Sequence, residues 1–140
     1  QINTMEIKVE KSKQLKQIQE EFQSNFPFLK LEFYSTFHKN GVGSEKNTLL
    51  NNAFTVGQVS KLNNESSISI NDAMKVSELE KAFKDTFGLS VQIFRKSNNV
   101  WLQTTITDNW TLSKQNKSAA EMNIQENSGS EPEEDIHEQE

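Results

Sequence analysis

The sequence predicts an α+β domain, and three observations carry that reading. Leu15, Ile18, Phe22 and Phe26 recur at helical spacing, as do Val76, Leu79, Ala82, Phe83 and Phe87, so each set marks one face of an amphipathic helix. Runs that alternate apolar and polar residues flank both stripes, as half-buried strands require. A breaker follows each stripe, Pro27 in one case and Gly88 in the other.

The elements follow in order. Residues 6–9 alternate as a short strand. Ser12 is placed to cap a helix over 12–26, which Pro27 ends. Residues 28–38 form the longest alternating run. Leu29, Leu31, Phe33, Ser35 and Phe37 lie on one face, and Lys30, Glu32, Tyr34, Thr36 and His38 on the other. Asn40-Gly41 signals a turn, and a loop to residue 54 is anchored by Leu49, Leu50 and Phe54. Thr55 and Gln58 fit a capping box for a short helix towards Leu62. Ile68 and Ile70 mark a strand, and a helix over 76–87 ends at Gly88. Residues 89–96 and 100–105 form a hairpin around Ser97-Asn98-Asn99. Asp108 is placed to cap a last helix holding Trp110 and Leu112 and reaching Met122.

Two β-α-β runs are thus expected, 6–38 and 67–96, each with a Phe-x-x-x-Phe pair before its breaker. One reading is a two-layer sandwich built from a duplicated β-α-β, a ferredoxin-like split βαβ with an extra C-terminal helix. The other is a chance likeness, since the second strands differ in register by one residue.

Charge divides the chain. Residues 121–140 hold eight of the 20 acidic residues and none of the 15 Lys and Arg, so residues 1–120 carry a balance of +3. The expected organisation is one α+β domain over 1–122 and a disordered acidic tail over 123–140, too poor in apolar residues to offset ordering entropy. Met5 is a candidate natural start, with residues 1–4 an upstream extension. With no cysteine, the chain forms no disulfide, thiolate nucleophile or cysteine-ligated metal site. No apolar run has the roughly 18 residues of a membrane span, so a membrane is not an expected partner and a cytoplasmic protein is expected.

Glu78-Leu79-Glu80, the run from Phe87 to Lys96, Val100-Trp101-Leu102 and the run from Thr107 to Leu112 resemble a small bacterial, Bacteroidetes-type family with no assigned function. The likeness spans 77–116, about a third of the chain. It implies a bacterial cytosolic protein and no activity, and it transfers no site residue.

Catalysis needs groups that exchange protons, attack or hold a metal. His38 is a lone surface histidine, and His137 lies in a solvated acidic run with Glu133, Glu134, Asp135 and Glu138. Gly41-Val42-Gly43 lacks the third glycine of a dinucleotide fingerprint. Glu20, Glu21 and Glu78 lie on solvent faces of helices, near Lys16, Lys81 and Lys84. No enzyme, no cofactor and no metal is therefore expected.

One constellation stands out. The sheet face opposite the helices gathers Tyr34, Phe94 and Trp101 with Lys30 and Lys96. Aromatic and basic residues on a sheet suit a protein partner. The preferred expectation is a non-enzymatic protein-interaction module. The alternative is a single-stranded nucleic-acid platform tuned by the acidic tail, disfavoured by the small positive balance. A third arrangement folds the last helix, through Trp110, over this face and makes it a second small core.

Overall fold

The computed structural model describes residues 3–35, 49–60, 64–125 and 136–139. The chain order is β1 (Thr4–Val9), α1 (Leu15–Asn25), β2 (Leu29–Tyr34), α2 (Val56–Val59), β3 (Ser66–Asn71), α3 (Val76–Phe87), β4 (Ser90–Ser97), β5 (Val100–Gln103), α4 (Leu112–Gln125) and β6 (Ile136–Gln139). The fold is α+β. β1 and β3 pair antiparallel, and the second sheet runs β2-β4-β5-β6, antiparallel except for the parallel β5–β6 pair.

A ferredoxin-like split βαβ would interleave β1 to β4 in one sheet; here they form two separate pairs. Ile7 stands opposite Ile68 in one, and Leu31 opposite Ile93 in the other. Like pairs with like. β1 and β3 each bury two apolar residues, Ile7 with Val9 and Ile68 with Ile70. β2 and β4 carry the larger apolar rows, Leu29-Leu31-Phe33 and Val91-Ile93, and bury them together.

The helices begin in pairs. Leu15 and Lys16 donate their N–H groups to the carbonyls of Phe54 and Asn52, while Val56 and Gly57 donate to those of Lys13 and Lys11, at 2.8–2.9 Å. In the same way Val76 and Ser77 donate to Trp110 and Asp108, and Leu112 and Ser113 to Met74 and Asp72, at 2.8–3.0 Å. The first N–H groups of a helix have no partner within it. Each lead-in turn here supplies carbonyls to the partner helix. Gln14 and Lys75, poor capping residues by type, can therefore precede α1 and α3. Ser12 and Asp108 are not the caps. Reciprocal bonds complete three of the starts: Gln14, Thr55 and Lys75 donate N–H to the side-chain oxygens of Gln17, Gln58 and Glu78. Gly57 fits where a Cβ would lie 3.1 Å from the Lys11 carbonyl oxygen. At the far end of α3, Gly88 takes φ 65°, and the N–H groups of Gly88 and Leu89 bond the carbonyls of Lys84 and Phe83.

The apolar stripes meet in one cluster that draws on both sheets and on α1 to α4. Phe33 meets Phe83 edge to face at 6.0 Å, and the rings of Phe22 and Phe26, and of Phe83 and Phe87, make tilted contacts at 5.0 and 6.1 Å. Leu50 packs against the cluster and donates its N–H to Phe33 O, whereas the Leu49 and Phe54 side chains are exposed and these two residues are held through their main chains, by the Tyr34 bridge and the Leu15 N–H.

Of the expected tail over 123–140, residues 126–135 and 140 lie outside the described residues. α4 continues to Gln125, and Ile136–Gln139 adds to β5 as β6. Main-chain pairing along an existing edge needs little apolar burial, so the tail's composition does not preclude it. Among the described residues, no helix is long and apolar enough to cross a membrane.

Candidate functional site

The register decides which of the expected face residues meet. Lys30 stands opposite Phe94, and Phe94 opposite Gln103. Lys96 stands opposite Trp101, which stands opposite His137 of β6. Alternation puts Lys30, Phe94, Lys96 and Trp101 on one side of the sheet. The Lys30 ammonium lies 5.3 Å from the centre of the Trp101 ring and 3.2 Å from Glu32 Oε2. Gln103 Nε2 donates to Gln92 Oε1 at 2.7 Å, tying β5 to β4. These four expected residues form one contiguous patch.

Tyr34 does not join it. It pairs with Ser90, four residue pairs along from Lys30, and bridges to Leu49 at the sheet edge. Burial, and then the Glu32 carboxylate, push its hydroxyl up to about 12.

The face is not open. Phe94 is 1% exposed and Trp101 7%, and Glu32 is also buried. Glu32 accepts a hydrogen bond from Gln19 Nε2 as well as the Lys30 ion pair, so its charge is compensated. The half-buried bases Lys30 and Lys96 form the accessible part of the patch, backed by rings.

The last helix lies on the opposite side. Trp110 is flanked by the Arg95 guanidinium at 5.7 Å and the Lys114 ammonium at 4.2 Å. Arg95 Nη1 donates to Thr107 Oγ1 and Gln115 Oε1, both at 3.2 Å, and Gln115 Nε2 donates to Thr107 O at 2.9 Å. Arg95 alternates with Phe94 and faces the helices, so Trp110 is no lid over the Phe94 side. Leu112 joins the main core, which holds α4 there.

Sequence reasoning missed one titratable group. Glu80 on α3 is raised to about 7, by burial first and the Asp108 carboxylate second, while the Ile93 N–H pulls it down. Its helical position beside Leu79 signals partial burial, but the turn that brings Asp108 to α3 is a long-range contact. Glu21 pairs with Lys13 at 2.7 Å, and Lys81 pairs with Asp85. Among the described residues, no group of three or more His, Asp or Glu side chains could hold a metal ion. His38 and the Gly41-Val42-Gly43 segment lie outside the described residues.

Compared with protein-family models, with curated proteins and with solved structures, the chain matches none.

Proposed function

We propose that the protein is a non-enzymatic interaction module that binds another protein through the basic, ring-backed patch of Lys30, Phe94, Lys96 and Trp101. One observation carries the reading. The Lys30 ammonium lies 5.3 Å from the Trp101 ring, and Lys96 is the residue opposite that tryptophan in the β4–β5 register. A ring beneath a cation holds it in place and limits its motion. Such a patch fits an acidic segment of a partner, with electrostatics setting orientation and encounter rate. A bacterial cytoplasmic setting belongs to the same reading and rests on the family resemblance of residues 77–116.

The nucleic-acid alternative needs rings that bases can stack on. Phe94 and Trp101 are buried, so neither ring offers an open face for a base to stack on. This favours a protein partner.

The test is capture on the full-length chain, wild type against Lys30→Glu/Lys96→Glu, with and without nuclease. A protein retained by the wild type, lost by the variant and indifferent to nuclease supports the reading. The same proteins on both chains, or retention abolished by nuclease, overturns it.

A further inference from the structure

We propose that the outer edge of β5 is an acceptor for an extended acidic strand, and that Ile136–Gln139 is its intramolecular occupant, regulating access by a partner segment of the same chemistry. This rests on the interaction-module reading and adds the mode of binding and its control.

Four observations converge. First, β5 pairs with β4 on one side only, and its other side takes β6. A strand edge is a row of N–H and C=O groups that templates another strand. Second, β6 is parallel to β5 in a sheet otherwise antiparallel. It arrives from beyond α4, and residues 126–135 separate it from that helix. Third, the main cluster runs from Ile7 to Leu112, within the elements that precede this segment. Fourth, the charges match. Residues 121–140 carry eight acids and no Lys or Arg, and β6 brings Glu138 into register with Leu102, next to Trp101, over whose ring Lys30 lies and which Lys96 faces across the β4–β5 pair.

A strand carried on the same chain competes with partners at an effective concentration on the order of millimolar. A partner strand must compete with that, so weak partners are excluded and strong or multivalent ones displace β6.

The experiment uses the full-length chain and a labelled peptide of residues 133–140. Alternate residues of a strand direct their N–H groups to the same side, so either His137→Pro or Glu138→Pro must remove a donor to β5. Amide exchange is read along β4 and β5, and peptide binding by anisotropy. The expected result is faster exchange at Val100–Gln103 with β4 unchanged, and peptide binding at least about tenfold tighter than to the wild type, in one or both proline variants. Equal peptide binding by wild type and both variants, or binding by none, overturns the proposal. The two readings separate cleanly. If the prolines act and Lys30→Glu/Lys96→Glu leaves peptide and partner binding unchanged, the edge stands and the lysine patch falls. If the lysine variant alone loses a partner, the patch stands and the edge proposal falls.

Discussion

Lys30 holds its ammonium 5.3 Å from the Trp101 ring across the intervening strand β4. The contact joins the two ends of the sheet's three antiparallel strands. It also sets the first prediction. Phe94 lies beside it, 1% exposed, and Phe94→Ala should destabilise by about 3–5 kcal/mol. Lys96→Met, at the half-buried position across the strand pair from Trp101, keeps its stem on that face and should cost under about 1 kcal/mol. Urea unfolding of the two variants checks this, and equal losses would contradict the placement of Phe94.

Phe83 contacts Phe33 and Phe87 and is fully buried. Phe83→Ala should cost about 3–5 kcal/mol. Lys81, exposed and paired only with Asp85 one turn on, should tolerate Ala within about 0.5 kcal/mol. Thermal melts that show comparable losses would mean the phase of α3 is wrong.

Glu80 makes stability depend on pH. Its folded value, about 7, lies above the ordinary 4.5. Folding therefore favours the protonated acid. The benefit is complete below about pH 4.5 and is lost as pH rises through 7. Glu80→Gln stays neutral and should match the wild type near pH 4. Near pH 8 it should be more stable by up to about 3 kcal/mol. Melting curves at the two pH values decide, and a difference that does not change with pH rejects the shift.

Gln115 is fully buried and bonds Arg95 and Thr107. Gln115→Leu preserves volume but loses these bonds, and should cost about 1–3 kcal/mol. Gln115→Ala adds a cavity and should cost more. Chemical denaturation of both, with Leu no worse than wild type, would show that packing alone matters there.

Helical periodicity made Phe22, Phe26, Phe83 and Phe87 legible as core, because a stripe is a local property of the chain. Alternation likewise assigned Lys30, Phe94, Lys96 and Trp101 to one face. It could not say whether that face was covered, since alternation reports a side and not a neighbour. Strand partners were hidden for the same reason. β2 meets β4 across about sixty residues, and no local pattern reports it. Ser12 looked like a cap by residue type, yet the N–H groups of Leu15 and Lys16 find carbonyls near residue 54. Trp110 looked helical from its neighbours, yet its carbonyl serves α3. The β5–β6 pairing was masked by a tail composition that argues against burial but is silent on main-chain bonds.

The paired helix starts have a consequence for how the protein acquires its structure. Gln14 bridges to Thr55, and Lys75 to Thr111. Each bridge ties off a loop of about forty residues, and one closure nucleates two helices at once. The unfavourable first turn of α2, only four residues long, is met by α1 rather than by α2 itself. Helices in each pair should therefore appear together in refolding. Thr55→Pro, which cannot donate its N–H to Gln58, should slow the formation of α1 as well as α2. The length of chain between the tied points is then free to vary, because registration is set at the knot and not along the loop.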